Sequence, residues 1–335
     1  MRLDGLGEFG FLGRIWAQLG AQAPGVILGS GDDAAVLFFG ENLYLLLSTD
    51  AMVEGRHFRR EWLTPEEIGK RAGLAALSDL AAMGGRARGL LASAALPPAM
   101  DAEDAEALVR GLDAAAQACG ARLVGGDLAA SPGPIFLDVV VAGETTAYWP
   151  RSGAQPGDAV LVSGDLGRSA AALKLLEGGV SPAELPPALR ERFVTPQPGF
   201  DLVAAIHPLG VVTAAIDISD GLLGDLAHVA RAGGVEVSLE AEKVPIHEEA
   251  REAAARLGLD PIALALHSGE EYELAFTVPA EAVASVEEAV AQAGARPVTV
   301  IGRVLTGSGV RVEGAEGGGG FDHFSPEHPT PTPPL

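Results

Sequence analysis

A two-domain α/β fold is predicted by three observations. Apolar runs of strand length alternate with helix-periodic stretches along the chain. The 335 residues exceed the usual size of one domain and suggest about two. Turn formers crowd into one internal segment, 150–156 in YWPRSGAQPGD, which reads as a boundary. The expected division is an N-terminal unit over 1–149, a C-terminal α/β unit over 150–306, and a Gly/Pro-rich tail over 307–335.

Taken in order, 36–39 and 43–47 read as the strands of a hairpin turned by Gly40, Glu41 and Asn42. Acid flanks both: GDDAA at 31–35 precedes the first and STD at 48–50 follows the second. Thr64-Pro65-Glu66-Glu67 is a helix start, with Thr as N-cap, Pro in the first turn and Glu67 placed for a capping box. That helix should run to about Met83 and stop at Gly84-Gly85, which sets Asp79 near the end where its charge opposes the helix dipole. A strand at 89–96, an Ala-rich helix at 102–118, a short strand ending at Gly125-Gly126-Asp127 and a strand at 135–141 complete the first unit.

Beyond the boundary, 159–162 is a strand, 169–176 a helix, and helices fill 187–208. The apolar run 211–216 reads as a buried strand, and Leu222, Leu223, Leu226, Val229 and Ala230 recur at helical spacing directly after it. Strands at 235–239, 273–278 and 297–304 and helices at 247–257 and 280–293 follow. No long-period repeat is found.

Basic residues number 23 against 45 acidic, a net charge of −22, which disfavours a nucleic-acid-binding surface. Anionic substrates would then need intervening cations. The single Cys119 rules out a disulfide framework or a cysteine-rich metal site. Residues 1–20 lack a signal pattern, and no apolar run reaches the roughly 18 residues of a membrane helix, so a cytoplasmic home is expected.

Chemistry concentrates at acids beside Gly- or Ser-containing turns: Asp32, Asp33, Asp50, Asp79, Asp127, Asp217 and Asp220. Each singly reads as a turn residue or cap, and Ser219 or Asp220 can accept the first free N–H groups of the helix after them. Asp217 ends an apolar strand and is not explained that way. Several strand ends converging on one pocket would suit magnesium, which takes oxygen ligands and is commonly shared with substrate phosphates. No G-x-x-x-x-G-K-[ST] loop and no protein-kinase motif set occurs. SGDLGRS at 163–169 opens a helix and could offer backbone N–H groups to phosphate, with a plain tight turn as the alternative.

In order, GDDAA (31–35), STDAMVEGRHF (48–58), LSDLAAMGG (77–85), LVGGD (123–127), RSGAQPGD (151–158), IDISDGL (216–222), SGEEYEL (268–274) and FDHF (321–324) resemble the motifs of the thiamine-monophosphate kinase family. That family shares a superfamily with aminoimidazole ribonucleotide synthetase and selenophosphate synthetase. The resemblance implies γ-phosphoryl transfer from ATP to thiamine monophosphate in a homodimer whose N-terminal sheets pair, with direct in-line chemistry and no covalent phosphoenzyme. It implies several magnesium ions held by Asp33, Ser48, Thr49, Asp50, Asp79, Asp127, Asp217 and Asp220. ATP would meet Gly126, Asp127, Arg151 and Ser219, and thiamine monophosphate would meet His57, Glu270 and Phe321. Phe321 keeps the stacking face of the family's usual aromatic but not a hydroxyl. Leu128 and Ala129 stand where relatives often carry threonines. An aminoimidazole ribonucleotide synthetase-like activity and a non-enzymatic acidic cation-binding scaffold are the alternatives.

Overall fold

The computed structural model describes residues 11, 12, 14, 15, 23–267 and 269–314. Two six-stranded sheets divide them. β1 (Val26–Leu28), β2 (Ala35–Gly40), β3 (Leu43–Val53), β4 (Arg86–Leu96), β5 (Leu123–Ala130) and β6 (Phe136–Thr145) lie in the order β1-β2-β3-β6-β4-β5. β7 (Asp158–Ser163), β8 (Ala214–Asp217), β9 (Glu236–Glu240), β10 (Leu274–Pro279), β11 (Val298–Leu305) and β12 (Gly309–Glu313) lie in the order β12-β9-β11-β7-β10-β8. The described α-helices are α1 (Pro65–Ala82), α2 (Ala102–Ala118), α3 (Arg168–Glu177), α4 (Pro187–Val194), α5 (Phe200–Ile206), α6 (Leu222–Gly233), α7 (Glu248–Leu257), α8 (Pro261–Leu266) and α9 (Val283–Ala293).

The α/β class holds, but the sheets are mainly antiparallel. Parallel pairing is confined to β4–β5, joined by the crossover helix α2, and to β9–β12. Most other helices link strands that are not neighbours, so alternation along the chain does not become a parallel sheet.

α1 starts with the expected capping box between Thr64 and Glu67. It crosses α2 almost backbone to backbone, since a Cβ added to Gly69 would lie 1.9 Å from the Leu108 carbonyl oxygen. Leu77 and Leu80 of α1 and Leu108 and Leu112 of α2 cover one face of the first sheet, burying Leu137, Val139 and Val141 of β6. The alternate residues of β6 face the other side and are less buried, and Leu91 and Phe136 are exposed apolar groups of that sheet. The second sheet is covered on both faces, by α6 and α8 with one core and by α5 and α9 with another. Helices α3, α4 and α7 contribute Ala171, Leu175, Leu189, Phe193, Ala250 and Ala253 to the core of the first unit. The two units therefore share a continuous apolar contact, and α1 runs on to touch β8.

Four expectations change. β3 does not stop before the STD motif: ladder pairing from Tyr44 to Val53 against β6 carries Ser48, Thr49 and Asp50 inside the strand. β5 runs on through Gly125-Gly126-Asp127 to Ala130 because β4 pairs with it throughout. The strand expected over 211–216 begins at Ala214. At the C-terminal end, 309–313, placed in the tail by the sequence, forms β12 against β9. β1 and α8 lie outside the sequence expectations, although Asp260 as N-cap and Pro261 at the first helical position mark the start of α8.

Candidate active site

The contact of α1 with β8 brings three carboxylates together. Asp217 ends β8, paired with Leu274; Asp79 lies in the last turns of α1; and Asp33 precedes β2. One oxygen of each lies within 4.8 Å of the others. Asp33 and Asp217 are buried, and Oδ2 of Asp217 has no hydrogen-bond partner among the described residues. The Ser48 hydroxyl donates to Asp79 Oδ2 at 2.5 Å.

Electrostatics shows how strained this grouping is without a cation. Burial, then the nearby Asp33, pushes the Asp217 carboxyl up to about 8, against easing by the charge of Arg151. Burial, then Asp217 and Asp33, holds Asp79 well above the usual carboxylate range. Arg151 grips Asp33 with both arms, Nη2 to Oδ1 at 2.6 Å and Nε to Oδ2 at 3.2 Å, and its backbone N–H donates to Asp32 Oδ2 at 3.0 Å. One arginine cannot offset the whole group. A hard divalent cation fits: every donor is oxygen, an orphaned carboxylate oxygen is buried beside the others, and the crowded negative charge has no other use.

A second layer adjoins this cluster. Asp50 is pushed up to about 6 by burial and then by the charge of Glu270. Glu270 is held by Arg71 of α1, Nη2 to Oε1 at 2.8 Å. His57 lies in the turn after β3, where the Val53 N–H donates to its Nδ1 at 3.0 Å, leaving the ring hydrogen of the neutral form on Nε2. Ser219 and Asp220 form the turn between β8 and α6, half-buried next to Asp217.

Capping works differently from the expectation. Neither Ser219 nor Asp220 caps α6; the buried Asp225, one turn in, reaches back and accepts from the N–H groups of Ser219, Asp220 and Gly221 at 3.0–3.2 Å. Likewise the SGDLGRS turn offers no open phosphate cradle, because the Glu271 carboxylate accepts from the N–H groups of Gly167 and Ser169 at 2.9 and 3.0 Å. The preference of helix N-termini for anions is satisfied internally at both places.

Two expected ligands lie elsewhere. Thr49 points its hydroxyl to Asp138 Oδ1 at 2.6 Å, on the sheet face opposite Ser48 and Asp50. Asp127 pairs in register with Ser93, which pairs with Asp138 and so with Ala51, a row on that same opposite face. β5 is three strand spacings from β3, about 14 Å, so within one chain Asp127 and Gly126 do not join Asp50. Both line a mainly apolar groove of 980 Å³ between α2 and strands β4 and β5, with Ala92, Leu108, Val109 and Leu123. Phe321 lies outside the described residues.

Residues the sequence reading passed over include Arg71, Asp225, Glu271 and Asp138. A charged side chain in the apolar stretch of a helix was a signal for Arg71. For Asp225 the signal was an acid one turn inside a helix whose N-cap is Gly221, a residue with no side chain to cap it.

Comparison with known proteins identifies the fold and the family. Residues 31–145 match the model of the AIR synthase related protein N-terminal domain, and residues 155–315 that of the C-terminal domain. A thiamine-monophosphate kinase of Mycobacterium tuberculosis is 39% identical over 277 residues, covering 81% of this chain and 80% of the relative. One from Aquifex aeolicus is 36% identical over 317 residues, covering 94% and 96%. Among solved structures, AaThiL complexed with AMPPCP and TMP superposes with a TM-score of 0.85 at 35% identity, over 96% of this chain and 99% of that one. A HypE–HypF complex, at 21% identity and a TM-score of 0.72, shares the fold. With matched domains spanning both sheets and such relatives along nearly its full length, the chain belongs to the thiamine-monophosphate kinase family of AIR synthase-related proteins, a family of kinases.

Proposed function

We propose that this chain transfers the γ-phosphoryl group of ATP directly to thiamine monophosphate, giving thiamine diphosphate and ADP. The observation that carries the reading is the Asp33, Asp79 and Asp217 group, buried at Asp33 and Asp217, with an unpartnered Asp217 oxygen. These three would hold magnesium, with Ser48, Asp50 and Asp220 completing the ligand set nearby. Bound there, magnesium would neutralise the charge on two polyanions that otherwise repel one another.

The chain's own groups then orient and exclude water rather than move protons. The acceptor is a phosphate oxygen already ionised near neutral pH, so no strong general base is needed, and the aspartates serve as holders. Arg151 would leave Asp33 to meet a phosphate of ATP, a bidentate exchange that suits guanidinium geometry. Ser219 lies beside that path. Glu270 and His57 face the acceptor, and Phe321 in the C-terminal segment would supply an aromatic face.

A homodimer belongs to this reading. The outer face of the first sheet carries exposed Leu91 and Phe136, and pairing two such faces would bury them. It would also give Asp127, Gly126 and the groove beside them a part in nucleotide binding that a single chain denies them, and Thr49 would face the same interface. In this division of labour, residues 1–149 bind nucleotide and dimerise, 150–306 complete the cleft, and the segment 307–335 carries the acceptor-contacting Phe321. No helix among the described residues is long and apolar enough to cross a membrane, and we place the enzyme in the cytoplasm.

A coupled ADP assay with magnesium tests the reading, using thiamine monophosphate, free thiamine and formylglycinamidine ribonucleotide as separate acceptors. ADP should form with thiamine monophosphate alone. Release only with the ribonucleotide would move the chain to aminoimidazole ribonucleotide synthetase-like chemistry, and release with none would leave a cation-binding protein.

A further inference from the structure

Arg71 is wholly buried on α1, two turns before Asp79, and its head group crosses from the first unit to the second. Its Nη1 donates to the Phe193 carbonyl, its guanidinium carbon lies 4.8 Å from the centroid of the Phe193 ring, and its Nη2 lies 2.8 Å from Glu270 Oε1. The first two contacts fix the guanidinium in place. The third reaches a side chain that is 27% exposed.

The three glutamates of SGEEYEL divide cleanly. Glu271 and Glu273 are buried, the first on the N–H groups opening α3 and the second on Ser163, Arg192 and Arg296. Glu270 alone is turned toward the cleft, and its backbone is forced to do so. Glu270 and Tyr272 both adopt left-handed φ values, 60° and 54°, uncommon for residues with side chains. The turn is pinned to the Asp217–Asp220 loop by the Glu270 N–H on the Ser219 carbonyl at 2.7 Å and the Tyr272 N–H on the Ile218 carbonyl at 2.8 Å. Backbone and carboxylate are thus fixed separately, one by the loop and the other by Arg71.

We propose that Arg71 is a positioning residue for the acceptor: it aims the Glu270 carboxylate at a cationic or amine-bearing heteroaromatic group without touching that group itself. This rests on the placement of Glu270 at the acceptor side in the functional reading above. A planar, permanently charged guanidinium suits the task, since the Phe193 contacts fix its plane and with it the direction of Nη2, whereas a lysine would keep the charge without that fixed direction. An arginine serving only to pin α1 to α4 would need the Phe193 contacts and nothing in the cleft.

The test uses the full-length enzyme as Arg71→Met, Arg71→Lys, Glu270→Gln and the Arg71→Met/Glu270→Gln pair, with each substrate varied in turn. Loss of the Arg71–Glu270 ion pair should raise KM for thiamine monophosphate about ten-fold in Arg71→Met and in Glu270→Gln. KM for ATP should stay within about two-fold, Arg71→Lys should recover part of the loss, and the pair should be no worse than its worse member. Equal rises in both KM values, or losses that multiply in the pair, would overturn the role. If Arg71→Met does not fold, Arg71→Lys with Glu270→Gln completes the same cycle while keeping the buried charge. Wild-type turnover is measured first: its absence with thiamine monophosphate removes the functional reading and this inference with it, whereas normal turnover with unselective Arg71 variants removes only the inference.

Discussion

Asp217 and Glu273 are buried almost equally, 2% and 1% exposed, and sit at the same end of the second sheet, where Leu274 next to Glu273 pairs with Asp217. Their surroundings are opposite. Glu273 accepts from the Ser163 hydroxyl and lies against two guanidinium groups, Arg192 and Arg296. Asp217 meets two other carboxylates and keeps one oxygen unpartnered. Burial of a charge is costly in either case, but only the first charge is compensated by the chain itself. The difference separates an ion network that holds the fold from an acidic group that is incomplete until a cation arrives, although both are short runs of acid in the sequence.

The sharpest way to break that comparison is to remove the compensated member. Glu273→Ala leaves the buried Arg192 and the half-buried Arg296 without their shared partner, and the protein should lose about 3–5 kcal/mol of stability, read by denaturant unfolding. A loss no larger than that of a surface substitution would erase the distinction. Next is the uncompensated member. Asp217→Asn should cut turnover about 100-fold or more and shift the magnesium titration to higher concentration. Without metal it should melt no lower than the parent, because a repelled carboxylate has been removed. Unchanged magnesium dependence would count directly against the metal-holding role.

A smaller effect concerns pH. Asp217 has a folded value raised from 3.8 to about 8, and Asp79 is raised as well. The folded chain therefore binds more protons than the unfolded chain between those limits, and stability falls as pH rises. The contribution is fully present below about 4 and is lost as pH climbs toward about 8. Melting temperatures in a chelator should decline across that window, and saturating magnesium should flatten the decline. An equal slope with and without magnesium would show that the ion does not settle on these groups.

Much of this was legible from residues alone. Thr64, Pro65 and Glu67 announced α1, and the Ala-rich periodicity of 102–118 announced α2 with its observed limits, because caps and helical spacing are local properties. The motif order identified the family, and Asp33, Asp79 and Asp217 were named together before any fold was in view. Strand limits were harder to read. Ser48–Asp50 and Gly125–Asp127 look like turns by composition, yet each is drawn into a strand by its ladder partner, which lies far away in sequence. The phosphate-like turn at 163–169 is filled by Glu271, about a hundred residues later, and no local pattern could announce that.

By itself the sequence determined which side chains are acidic, where the helices begin and which family's motifs stand in order, since covalent order and local propensity carry that information. Tertiary structure alone decided which acids meet. Contact between α1 and β8 puts Asp79 beside Asp217, strand parity sends Thr49 and Asp127 to the other face, and Arg71 reaches Glu270 across the two units. Carboxylates repel when crowded and have no preference of their own for doing so. Only the packing energy of the apolar cores is large enough to force them together, and that energy belongs to the whole fold.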